Sequence, residues 1–180
     1  MSAAIDTAVD VALWFADQAL NGNEYLQPQK LQRLLFLSQA YYAVAFSGRM
    51  LMPAIFVADE MGPVEPNIFK VFAQGRPDVE SDLFLPEQAE QFLTMIWRRF
   101  GHHSAEHLTR MVMDSEAYQR ALKKGRRTEI TVDAMRLSFT RAKDTPAIDQ
   151  IMRPKMLRSQ TGKPVTVKSW TPNLKPARPR

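Results

Sequence analysis

One stretch of the chain limits its fold more than any other. From Pro28, placed where proline starts a helix well, to the stop at Gly48, the residues follow a helical period. Leu31, Leu34, Leu35, Tyr41 or Tyr42, and Ala45 form its apolar stripe, and Phe36, Leu37 and Val44 widen it. A helix apolar most of the way round must be covered on several sides, so this one is expected at the centre of a helical domain.

The other segments arrange themselves around it. Ile5, Val9, Ala12, Leu13, Ala16 and Leu20 share a helical stripe that ends at Asn21-Gly22-Asn23. A short helix is expected between Pro66 and Gly75. Another runs from Pro86 to Gly101, with Glu87 and Glu90 early and Arg98 and Arg99 late, matching the helix dipole at both ends. A fifth begins with Ser104 as its cap and runs to Lys123-Lys124-Gly125, and a sixth follows Thr131 to about Arg141. Between the second and third helices, Ile55-Phe56-Val57 is β-prone but confined by Pro53 and Pro63, leaving room for one or two small strands. The expected class is all-α with a minor β element near residues 54–58. Met111 and Met113 cannot both face one side of the fifth helix, so one is expected to be exposed or covered by a partner.

Charge divides the chain. Residues 1–152 hold 16 Lys+Arg against 19 Asp+Glu, a balance of −3, whereas residues 153–180 hold 8 basic residues and no acid. Five of the 12 prolines fall in that last stretch. We therefore expect a helical domain over 1–150 and a basic, Pro-rich extended tail over 151–180. Within the tail Val165-Thr166-Val167-Lys168-Ser169-Trp170 alternates like a strand and carries a tryptophan that a purely solvating tail would rarely hold. It either folds back on its own domain or engages a partner; Lys168 and Trp170 are its candidate contacts.

Several classes of chemistry find no footing. Cysteine is absent, which removes disulfides and thiolate chemistry and fits a reducing cytoplasm. No apolar run approaches the roughly 20 residues of a membrane span. The acidic N-terminus is unlike a secretory signal. There is no phosphate-binding glycine loop and no nucleophile elbow. His103-Ser104-Ala105-Glu106-His107 matches a zinc-protease pattern. His103 precedes the Ser104 cap, however, so the two rings need not share a face, and the tail offers no acid as a third ligand. We read it as a loop and helix start with solvated histidines. No catalytic residue, metal ligand or cofactor is assigned, and the chain is expected not to be an enzyme. Lys123-Lys124-Gly125-Arg126-Arg127, together with the tail, raises nucleic-acid binding as an alternative, although cations around a helix end also suit the dipole alone.

Three stretches together resemble the Panacea-domain family of SocA-like antitoxins. Leu31-Gln32-Arg33-Leu34-Leu35-Phe36-Leu37-Ser38-Gln39-Ala40-Tyr41-Tyr42 is similar to the family's "LQKLLYFAQAYY"-like helix. Met61-Gly62-Pro63-Val64-Glu65-Pro66 resembles its Gly-Pro-Val turn into a helix. Ala105-Glu106-His107-Leu108, Asp114 to Tyr118 and Thr128 to Thr131 follow in the family's order, and the resemblance covers about residues 5–142. It implies a compact helical domain without a catalytic centre that neutralises a protein toxin by direct contact. It further implies a proteolytic adaptor that hands a SocB-like toxin, a blocker of the replication sliding clamp, to the ClpXP protease. Gly62 and Pro63 themselves make a rigid corner, since glycine reaches positive φ and proline restricts its neighbour. Met61, Gly62, Pro63 and Val64 are the candidate toxin contacts.

Overall fold

The computed structural model describes residues 3–79, 83–141, 146–152, 156–158 and 164–166. The chain is mainly helical, with a small three-stranded sheet. Helix α1 spans Ala8–Asn21, and the Thr7 side chain caps it by accepting from the Asp10 amide. Ile5, expected on the helix, instead lies in a bend before it, and its amide donates to Leu51 O at 2.8 Å. Helix α2, Pro28–Ala45, is the centre of the molecule: every residue from Leu31 to Ala43 is buried. It touches α1 and the later helices α3 (Pro66–Val71), α4 (Glu87–Phe100), α5 (Ala105–Met113) and α7 (Val132–Arg141).

Aromatic rings join these layers. Phe36 meets Phe56 edge-on at 5.4 Å, Tyr41 lies 5.6 Å from Phe100 and 5.2 Å from Phe139, and Tyr42 meets Phe92 at 5.1 Å. Such pairs prefer offset or edge-to-face arrangements and bury large areas. Helix α8, Ile148–Ile151, adds the buried Ile151 to the same core, and Pro146 O accepts from the Tyr41 hydroxyl at 2.8 Å.

The single fifth helix expected over 104–124 is in fact two. Helix α5 ends at Met113 and α6 runs Glu116–Lys124. Ser115 makes the break: its hydroxyl donates to Val112 O at 2.6 Å and accepts from the Tyr118 amide at 3.4 Å. A serine that bonds the backbone on both sides closes one helix and caps the next. Met111 and Met113 both lie half-buried against the core, so neither is the exposed methionine expected from their spacing.

The β element is larger than expected. Strand β1, Phe56–Asp59, pairs antiparallel with β2, Gly62–Val64, and on its other edge with β3, Glu129–Ile130. Gly62 and Pro63 therefore sit inside a strand; the tight turn is at Glu60-Met61. A further antiparallel pair joins β4, Met156–Arg158, to β5, Pro164–Thr166. No helix among the described residues is long and apolar enough to cross a membrane.

Candidate functional site: a clamped hairpin and an apolar groove

Three of the four buried polar residues on α2, Gln32, Arg33 and Gln39, bond backbone groups between residues 51 and 65; the fourth, Ser38, donates to Leu34 O of its own helix at 2.7 Å. Gln39 Oε1 accepts from the amides of Leu51 and Met52, at 3.1 and 3.2 Å, and its amide nitrogen donates to Met52 O at 3.1 Å. Gln32 Oε1 accepts from the Glu65 amide at 2.8 Å. Glu65 in turn caps α3, accepting from the Ile68 amide at 2.6 Å. These bonds satisfy backbone groups that lie in the interior, where an unpaired polar group is costly.

Arg33 is the most unusual member. It is only 2% exposed, and no carboxylate pairs with it among the described residues. Its guanidinium donates to Pro63 O at 2.6 Å, to Met61 O, and to Thr109 Oγ1 at 2.9 Å on α5. Burial pulls its pKa down to about 10, against a raising influence from Tyr118, so it stays charged at neutral pH. A rigid planar fork with five donors holds two carbonyls of one hairpin and the Thr109 hydroxyl in fixed directions, which the single rotatable ammonium of a lysine would not.

Gly62 is shaped by this contact. Its φ is +113°, and a Cβ there would lie 2.6 Å from an Arg33 nitrogen. Both the backbone conformation and the space demand glycine. From the far side, the Tyr118 hydroxyl donates to Asp59 O at 2.5 Å, and Arg126 pairs with the Asp59 carboxylate at 3.2 Å.

The result is a stiff hairpin whose tip exposes the side chains of Glu60 and Met61, of which Met61 is the apolar one. Met61 is 66% exposed, Gly62 and Pro63 are buried, and Val64 is half-buried. Of the four candidate contacts in this segment, only Met61 is largely available to a partner, while Gly62 and Pro63 fix its position. Lys168 and Trp170 lie outside the described residues.

A second feature was not foreseen from the sequence. The end of α1, the loop leading to α2 and the segment after α3 enclose an open groove of about 360 Å³. Leu20, Tyr25, Leu26, Leu31 and Phe72 give it an apolar lining, and Arg76, held by Asp17 at 2.6 Å, stands at its edge. Leu20 and Tyr25 are 64% and 70% exposed.

His103 lies before the Ser104 cap of α5, as expected, yet the histidine rings come together. Their rings stack at 4.4 Å with planes 21° apart, and His102 lies 4.1 Å from His103. Burial lowers the His103 pKa, and His102, His107, Arg99 and Lys30 lower it further. Among the described residues no three His, Cys, Asp or Glu are grouped to hold a metal. Within the basic cluster Arg126 pairs with Asp59 and Glu60, and beside it Arg120 pairs with Glu116. No family model, curated protein or solved structure matches the chain.

Proposed function

We propose that this chain is an antitoxin that neutralises a protein toxin by binding it, acting as a proteolytic adaptor that delivers the toxin to ClpXP. The observation that carries the reading is the clamped hairpin. A buried Arg33 with no carboxylate partner among the described residues is spent on two carbonyls of a surface hairpin, and a structural arginine in that position is expensive unless the hairpin's shape matters. The two stretches that most resemble the antitoxin family, the Leu31–Tyr42 helix and the Met61–Pro66 turn, are the two partners of this clamp. A presented Met61 suits protein recognition, because methionine adapts to irregular apolar surfaces.

In this reading the chain is not an enzyme, needs no cofactor and works in the cytoplasm. Nucleic-acid binding has less support, because two of the arginines in and beside the basic cluster are engaged by acids. The test is rescue of growth. Each protein encoded next to this chain's gene is expressed in turn as the candidate toxin, with and without the chain, in cells containing or lacking ClpX. Rescue that requires both the chain and ClpX supports the adaptor; rescue without ClpX supports occlusion alone. Failure to rescue in either host overturns the antitoxin reading.

A further inference from the structure

The chain contains a segment whose chemistry suits the groove beside α1. We propose that in the free protein the Trp170 segment of the basic tail docks in this groove, so that the tail is held against its own domain until a partner displaces it. The inference concerns the uncomplexed chain and does not depend on the identity of any toxin.

Three observations point to this occupant. The first is shape and polarity: about 360 Å³ of open space lined by Leu20, Tyr25, Leu31 and Phe72 accepts a large flat ring, and Trp170 is the sole aromatic residue in 153–180. Burying an indole removes about 150–250 Å² from water, provided its N–H finds an acceptor. The Glu24 carboxylate on the groove wall can supply one.

The second is charge. Residues 1–152 carry a balance of −3 and residues 153–180 one of +8. At the groove, Arg76 is already matched by Asp17, whereas Glu24 makes no ion pair among the described residues. The last turn of α1 contains no basic residue to offset the negative end of its dipole. An apolar anchor flanked by cations fits this setting, and Lys168 stands two positions before Trp170.

The third is reach. The β4–β5 pairing sets Met156 opposite Thr166 and so returns the chain on itself. Four residues from Met152 to the hairpin and four from the hairpin to Trp170 extend about 26 Å. Along α2, the groove floor at Leu31 is ten residues from Tyr41, which bonds Pro146 at the entry to α8; that is about 15 Å of helix. The tail is long enough. Because the tether makes docking intramolecular, even modest contacts suffice.

The experiment uses full-length protein labelled with 5-fluorotryptophan. It has three tryptophans, and the Trp170 resonance is assigned by its loss in Trp170→Phe. Docking predicts a water-to-deuterium-oxide isotope shift for Trp170 less than half that of the free amino acid. In Leu20→Glu, a substitution at an exposed side chain, the shift should rise to the free value while the Trp14 and Trp97 resonances stay in place. Glu24→Lys should raise it as well. A full isotope shift in the unmodified protein overturns the proposal. So does shielding that neither variant changes, which would place the segment elsewhere. Shielding lost on dilution also overturns it, because the groove would then hold a second copy's tail.

Discussion

Replacing Arg33 with methionine removes the fork that holds the hairpin while keeping most of the side chain's apolar volume. Three hydrogen bonds are lost. Bonds to charged groups contribute about 1.5–3 kcal/mol each. The Pro63 carbonyl is buried and left without a donor, so its loss counts in full. Met61 O and Thr109 are part-exposed and recover some of the loss through water, so they count at the low end. The gross cost is roughly 4–6 kcal/mol. Against it stands the relief of no longer burying a charge, which in other proteins makes apolar replacement of buried ions neutral or better. We expect a net loss of about 2–4 kcal/mol, and a fall in Tm of roughly 2–4 °C for each kcal/mol in a domain of this size. Urea unfolding followed by circular dichroism measures the total, and amide exchange at Gly62 and Val64 measures the hairpin. An Arg33→Met protein as stable as the parent, with hairpin amides equally protected, would refute the clamp.

Other consequences are equally open to measurement. Gly62→Ala forces a Cβ into the Arg33 guanidinium at positive φ, and should cost about 2–4 kcal/mol in a thermal scan, with Gly48→Ala, half-buried and at positive φ but with no atom closer than 3.7 Å to the added Cβ, as a milder control for the φ effect alone. Gln39→Leu strips two amides and a carbonyl of their partner, so urea unfolding should show a loss of about 2–4 kcal/mol; a loss under about 0.5 kcal/mol would mean that water replaces the side chain. For pH, the sign follows from His103, whose folded pKa lies below its unfolded value near 6.5. The unfolded chain then binds more protons, so stability is complete above about pH 6.5 and declines as pH falls through the folded value. His103→Gln should flatten that decline in urea midpoints taken at about pH 7.5 and 5.5; an unchanged slope would assign it to other groups.

Much of the scaffold was legible because local signals agreed with one another. The continuous apolar surface of 28–45 announced the central helix, and Ser104 and Thr131 each cap the helix that follows. The break at Asp114-Ser115 was not legible, because Leu108, Val112, Ala117 and Ala121 continue an apolar stripe across it; only the hydroxyl's tertiary setting decides. Strand β3 has two residues, too few for any alternation to register. The clamp escaped for a different reason. Periodicity sorts polar residues to the outside, and Gln32, Arg33 and Gln39 read as ordinary interruptions. A usable signal was there: a helix with no exposed face leaves such residues nowhere to go but toward buried backbone. The groove was beyond reach, since segments 16–31 and 72–76 meet only after folding.

The most direct measurement is calorimetric binding of the purified chain to the protein encoded beside it, at low and high salt, for the parent and for Met61→Asp. Toxin recognition through the hairpin predicts saturable one-to-one binding that survives high salt, weakened at least tenfold by Met61→Asp, about 1.4 kcal/mol, with the fold unchanged by circular dichroism. No binding at either salt, or binding that vanishes in high salt and ignores Met61→Asp, would contradict it.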